Sequence, residues 1–215
     1  MVSETFQCPP PMELSEADTS DVASLFARCS DYFLLQDGVA SNLDDAKELF
    51  TDVPPEKNVR DQTVLGWRDG DGLYAVAAIL RDYPLHRTWY LGFMIVDASR
   101  RGSGIGRSIY AQIENWTAAR GASEIRLAVL EVNEAGERFW RSRGFHELRR
   151  VGPDTFKMRS HRRVEFGRRV NSAEAGVAVD SCRSLSPTQA IYGASDIDKQ
   201  TTAFGVRTQA PKRPL

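Results

Sequence analysis

One stretch constrains the fold of this chain more than any other. Residues 89–145 read as strand, glycine-rich loop, helix, strand and short helix. Residues 89–96 form an apolar strand, and the loop Arg100-Arg101-Gly102-Ser103-Gly104-Ile105-Gly106-Arg107 follows at once. Residues 104–120 then form a helix, because Ile105, Ile109, Ile113 and Trp116 recur at helical spacing and make one apolar stripe. Gly121 ends it in the left-handed conformation that glycine adopts cheaply. Residues 125–132 are almost all apolar, as in a buried strand. A short helix at 134–143 stops at Gly144. The fold class is therefore α/β or α+β.

The flanks add elements. A short strand at 12–14 precedes a helix that Thr19 or Ser20 can cap and that turns Val22, Leu25 and Phe26 inward. A second helix is expected at 42–50, ended by Pro54-Pro55. The turn Asp69-Gly70-Asp71-Gly72 joins strands at 63–67 and 73–80 into a hairpin. Two short strands are expected near 146–150 and 155–159. Beyond them the chain is rich in Ser, Ala, Gly and Arg without a sustained period. The expectation is one domain over 1–160 and a poorly ordered tail over 161–215.

Composition excludes several classes. The 215 residues suit one compact domain, and the net charge of −1 offers no global basic excess for nucleic acid. No apolar run approaches the ~20 residues that a membrane span needs. The first residues lack the basic and apolar segments of a secretory signal. Cys8, Cys29 and Cys182 lie far apart, which argues against a metal pair or a disulfide framework and for a reducing cytoplasm. Charge is uneven: residues 1–60 hold twelve acidic against four basic side chains, and residues 138–169 hold eleven basic against three acidic. Each run reads first as a solvated face.

The loop carries the chemistry. Glycine lets a backbone approach a ligand and present several N–H groups, and the helix N-terminus adds partial positive charge. Arg100, Arg101 and Arg107 supply more. The nucleotide P-loop is excluded because no Lys follows the glycines. The dinucleotide fingerprint has different spacing and belongs to the first strand of its unit. The pattern Arg/Gln-x-x-Gly-x-Gly/Ala remains, matched by Arg101-Gly102-Ser103-Gly104-Ile105-Gly106.

With that loop, Met94-Ile95-Val96 before it and Asn133, Ala135, Gly144 and Phe145 after it, the chain resembles the GNAT superfamily of acyl-CoA-dependent N-acyltransferases. The resemblance implies a mixed, mostly antiparallel sheet, flanked by helices and splayed after its fourth strand. It implies acetyl-CoA as co-substrate, with no metal. The pantetheine arm would pair with backbone near Ile95 and Val96. The segment Arg101, Gly102, Ser103, Gly104, Ile105 and Gly106 would hold the pyrophosphate, with Arg107 adding charge, and Asn133 would contact the cofactor near its pantetheine end. A substrate amine would attack the thioester directly.

Two positions depart from the family pattern. Many members place a Tyr acid seven residues after the Asn, where this chain has Trp140. Members that acetylate protein N-termini often place a Glu five residues before it, where this chain has Ala128. The candidates for catalysis are then Glu131, at the end of the strand, and Tyr90, on the strand facing the substrate; the preferred reading of the first is a solvated strand-end carboxylate and of the second a half-buried aromatic. His86 is a loop histidine that could border the acceptor pocket. Trp116 reads as core, and Phe139 and Trp140 as packing for the last helix. Arg149, Arg150, Arg162 and Arg163 read as surface. Asp31, Asp37, Asp44 and Asp45 could draw a cationic amine, or be solvated helix surface.

The expected function is acetyl transfer from acetyl-CoA to a primary amine of a small molecule, in the cytoplasm, without nucleic acid or membrane as partner. Acetylation of a protein Lys or N-terminus is the second reading, and a non-catalytic acyl-CoA-binding domain the third. A homodimer would be common for the family.

Overall fold

The computed structural model describes residues 8–170. In chain order the elements are β1 (Met12–Leu14), α1 (Thr19–Arg28), α2 (Ser30–Asp37), α3 (Leu43–Thr51), β2 (Gln62–Asp69), β3 (Gly72–Leu80), β4 (Thr88–Val96), α4 (Ile105–Ala118), β5 (Glu124–Leu130), α5 (Glu134–Ser142), β6 (His146–Phe156) and β7 (Arg159–Arg169). The seven strands make one sheet in the order β1-β2-β3-β4-β5-β7-β6. Every pair is antiparallel except β4 with β5.

Alternation along the strands builds two cores. Leu65, Trp67, Ala75, Ala77 and Ile79 pack with the Ile105, Ile109 and Ile113 stripe of α4. Their neighbours Val64, Leu73, Val76 and Ala78 pack with Val22, Leu25 and Phe26 of α1, Phe33 of α2 and Ala46 and Phe50 of α3. The helices therefore sandwich the sheet. Trp116 is only partly buried; its ring meets Trp89 edge-on at 5.5 Å, and Arg120 covers it. The helix expected at 42–50 begins with a reciprocal cap: Asn42 Oδ1 accepts from Asp44 and Asp45 N–H at 2.8 and 3.1 Å, and Asp45 Oδ2 accepts from Asn42 N–H at 2.7 Å.

Helix α2 was not expected. Its buried residues are Phe33, Gln36 and Asp37, so polar side chains interrupt the apolar stripe that would reveal it. The C-terminal boundary also differs. The expected strands at 146–150 and 155–159 are parts of β6 and of the hairpin into β7, and residue 160 falls inside β7. β7 lies between β5 and β6 and buries Val164 and Phe166 on one face. On the other it buries His161, Arg163 and Glu165, which removes the apolar alternation of an ordinary core strand. The remainder of the expected tail lies outside the described residues.

The parting of β4 from β5 positions the site. They pair only over Thr88 with Glu124, Trp89 with Ile125 and Tyr90 with Arg126. Beyond that, β4 stays with β3 and β5 with β7. A bulge helps them separate: Ile79 pairs with Leu91 and Ala78 with Phe93, which leaves Gly92 as the extra residue. Bulges bend the strand and increase its twist. The extra residue also brings Tyr90 and Phe93 to the face covered by α1, α2 and α3.

Candidate active site

The gap between β4 and β5 is lined by Leu91, Gly92, Phe93 and Met94 on one side and Leu127, Ala128, Val129 and Leu130 on the other. It adjoins a cleft of about 790 Å³ that reaches the glycine loop and the N-terminus of α5. That volume is within the usual range for small-molecule sites. Both share Tyr32, Met94, Asn133 and Trp140 in their walls.

The β4 edge is presented by register. Asp97 N–H donates to Tyr74 O at 2.8 Å. Antiparallel alternation then turns the backbone groups of Ile95 toward β3 and those of Met94 and Val96 toward the gap. Of the expected pair Ile95 and Val96, only Val96 therefore turns its backbone toward the gap, and Met94, which was not among the expected contacts, does so too. Val96 O is itself partly used: it accepts from Arg101 Nε at 2.9 Å and from the Cys29 thiol at 3.5 Å.

The loop at the mouth is held from its start. Asp97 Oδ1 accepts from Ser99 N–H at 3.0 Å and Ser99 Oγ at 2.7 Å, closing a short turn at Ala98–Arg100. Gly104 caps α4 with φ at 90°, a conformation strained for any other residue, although an added Cβ there would meet nothing within 4 Å. Arg101, Gly102, Gly104, Gly106 and Arg107 line the cleft. Ser103 and Ile105 contribute backbone only: Ser103 Oγ donates to Arg100 O at 2.7 Å, and the Ile105 side chain is in the core.

The three loop arginines separate. Arg100 pairs with Asp69 and lies over the Tyr74 ring, facing the β2–β3 hairpin. Arg101 pairs with Asp31 of α2. Arg107 is exposed at the cleft, and Arg143 beyond α5 joins it there, with no carboxylate pairing either among the described residues. Arg143 was not among the expected site residues, because it follows the helix as one more surface cation.

Asn133 caps α5. Its Oδ1 accepts from Gly136 N–H at 3.0 Å, which leaves Nδ2 at the cleft wall. A Cβ on Gly136 would fall 2.7 Å from that Nδ2, so the residue after Ala135 must be glycine for the asparagine to sit there. Trp140 is buried against Tyr110 and Phe145, with ring centroids 5.4 and 5.3 Å away, and also borders the cleft.

The catalytic candidates fare differently. Glu131 lines neither the gap nor the cleft. Its carboxylate accepts from Arg150 at 2.9 Å and lies 3.9 Å from Arg162, which ties it to the β6–β7 side. His86 is exposed beside Asp82 and outside both cavities. Tyr90 stands where the strands part, fully buried, with its ring edge-on to Tyr83 at 5.6 Å. Burial pushes its phenol well above the ordinary value, so it stays protonated, a weaker acid than a free phenol and no base at neutral pH. The acidic candidates face cations: Asp44 pairs with Lys47 and Asp31 with Arg101, while Asp45 and, at 3.8 Å, Asp37 share Lys157. Arg163, expected at the surface, is 2% exposed and grips Asp154 Oδ2 through Nε and Nη2 at 3.1 and 2.7 Å.

A strand-width gap with an unpaired edge, running into a glycine loop and a helix N-terminus, fits an elongated ligand that carries phosphates. Comparison with known proteins narrows that class. The model of the Acetyltransferase (GNAT) family matches residues 25–145, more than half of the chain. The chain belongs to that family and is an acyl-transferring enzyme. In fold it is similar to the ribosomal-protein-S18-alanine N-acetyltransferase from Escherichia coli, with TM-score 0.56 and 14% identity over 79% of this chain and 98% of that one. An acetyltransferase from Thermus thermophilus gives TM-score 0.57 and 16% identity over 76% and 99%. A GCN5-related N-acetyltransferase from Kribbella flavida gives 0.54 and 18% over 74% and 96%. At such identities these likenesses show the fold alone. No curated protein sequence matches the chain.

Proposed function

We propose that this enzyme transfers an acetyl group from acetyl-CoA to a primary amine of a small molecule. The observation that carries the reading is the gap between β4 and β5, continuous with the glycine loop. Backbone groups of Met94 and Val96 would pair with the pantetheine arm, and Asn133 Nδ2 would donate to its amide end. The N–H groups at the start of α4, with Arg107 and Arg143, would hold the phosphates. Acetyl-CoA supplies an activated thioester, and the amine nitrogen attacks it directly. A covalent intermediate on Cys29 is disfavoured, since its thiol is buried and burial pushes its pKa up.

The acceptor side favours a small molecule over a protein segment. The hairpin of β6 and β7 is fastened across to α2: Met158 N–H donates to Asp37 O at 3.0 Å, and His161 Nε2 lies 3.0 Å from Gln36 O. Arg159 adds a bond to Leu35 O at 3.4 Å. An extended peptide would have to part these contacts. Cys8 and Cys29 are both free thiols, in keeping with a reducing, cytoplasmic setting.

The test is a titration of the full chain with acetyl-CoA, followed by melting temperature, with Gly104→Glu as control. A ligand at a hundredfold excess over Kd stabilises by ~2.7 kcal/mol. An amine panel read by CoA release follows. A shift lost in the variant together with amine-dependent release would establish the reading; no release from any amine would end it.

A further inference from the structure

Next to the acceptor end of the gap lies a buried carboxylate that the preceding assignments do not use. Glu165 on β7 stands directly opposite Ala128 on β5, and Ala128 lines the gap. Val129, Val164 and Phe166 turn toward α4. Strand alternation therefore puts Ala128 and Glu165 together on the opposite face, where Tyr83 and Tyr90 pack with Ala128. Side chains directly opposed across an antiparallel pair have Cβ atoms ~4.5–5.5 Å apart. Glu165 is not itself in the wall of the gap, but Ala128 opposite it and Arg163 two residues before it on the same face both are.

Glu165 is 5% exposed. Its Oε2 accepts from Arg149 Nε at 2.7 Å, and its Oε1 has no hydrogen-bond partner among the described residues. An unpaired buried acceptor is unfavourable unless a ligand or water completes it. An ammonium group entering from the acceptor side would do so. Glu131 is held by Arg150, Asp31 by Arg101 and Asp45 by Lys157; Asp37 Oδ2 is also buried without a hydrogen-bond partner among the described residues, but Asp37 lies in neither cavity wall and faces Lys157 at 3.8 Å.

We propose that Glu165 Oε1 takes the proton that the acceptor ammonium must lose before it can attack; this rests on the amine-acetylation reading above. The ammonium gives one proton to Oε1, and the freed lone pair attacks the thioester carbonyl carbon. The C–N bond forms, the C–S bond breaks, and sulfur leaves with the electron pair. The excess proton on the adduct nitrogen passes to sulfur, giving the CoA thiol, and Glu165 returns its own proton to water. The groups facing Glu165 are Arg149 of β6, Arg163 of β7, Tyr90 of β4 and Tyr83 just before it. Burial holds both phenols protonated, with Tyr83 pushed up to about 12, so neither competes as the base.

The experiment uses the full chain with spermidine, tyramine, lysine and glucosamine as probe amines. Acetyl-CoA binding is read by melting temperature, and kcat/KM by CoA release across pH. Glu165→Gln is expected to keep the acetyl-CoA shift, to lose at least ~100-fold in kcat/KM, and to lose the acidic limb of its pH profile. Ala128→Glu in the Glu165→Gln background returns a carboxylate to the same face and is expected to regain at least ~10-fold of that loss. Glu165→Asp keeps the charge beside Arg149, and an intermediate rate is expected. Glu165→Gln within threefold of the parent, with an unchanged pH profile, overturns the proposal alone. If Glu165→Gln does not fold, Glu165→Asp decides: a parental rate and profile overturns it, a reduced rate with a shifted limb sustains it. A parent that binds acetyl-CoA but acetylates no amine overturns the amine reading and this proposal together.

Discussion

Arg28 near the end of α1 bonds Asp97 at the start of the glycine loop, and its Nη2 also donates to Leu73 O at 2.6 Å. One guanidinium thus joins the acceptor-side helix, the β2–β3 hairpin and the loop proposed to hold phosphate. Asp97 returns the constraint by capping the turn through Ser99. The order of the loop therefore depends on a helix some seventy residues earlier in the chain.

That link gives a pH-dependent prediction. Burial acts to raise the Asp97 pKa, but hydrogen bonds from Arg28 and Ser99 outweigh it and hold the carboxyl below its usual range. A depressed folded pKa contributes stability above the unfolded value of ~3.9 and loses it as pH falls through the folded value. Asp97→Asn should lower stability at pH 7 by about 1.5–3 kcal/mol. Urea titration at pH 7 and at pH ~3 should show the difference from the parent shrinking at the lower pH. An equal difference at both would contradict the account.

Gly136→Ala should displace Asn133. The new Cβ would meet Nδ2 at 2.7 Å, and the same side chain caps α5. Overpacking of this kind costs about 1–3 kcal/mol. The melting temperature should fall and the acetyl-CoA affinity with it. Retention of full affinity would mean that Asn133 has no part in the cofactor site.

Arg107→Ala and Arg143→Ala should each weaken acetyl-CoA binding by about tenfold, or ~1.4 kcal/mol. The loss should be largest at low ionic strength, because exposed charges are screened by salt. Calorimetry with acetyl-CoA and with the phosphate-free acetyl-pantetheine separates the causes. Equal losses for both ligands would place the arginines elsewhere than on the phosphates.

Asp154→Ala removes one carboxylate partner of a guanidinium that is 3% exposed. Losing hydrogen bonds to one charged partner costs about 1.5–3 kcal/mol. Chemical denaturation should show that loss, and Arg163→Met with Asp154→Ala should restore part of it. A neutral single variant would show that Arg163 is not held by Asp154.

Glu131→Gln should leave kcat/KM within about twofold of the parent, because the carboxylate is engaged by Arg150 outside the cleft. A hundredfold loss in the CoA-release assay would instead return Glu131 to the acceptor site.

The unit proposed to hold the cofactor was legible in local patterns. The glycine loop, the Ile105, Ile109 and Ile113 stripe and the cap Asn133 are local patterns: each depends on spacing within one or two turns, and the structure keeps them together. The partners of the charged residues came from contacts distant in the chain. Arg101 turns back to Asp31, Glu131 is drawn to Arg150, and Arg163 is buried on Asp154. β7 is a central strand although charge fills its sequence, because its partners come from β5 and β6. Glu165 meets Ala128 across thirty-seven residues of chain. Apolar periodicity reports the face that one element buries against any neighbour. A buried charge depends on which particular partner the fold delivers, and that pairing has no period to read.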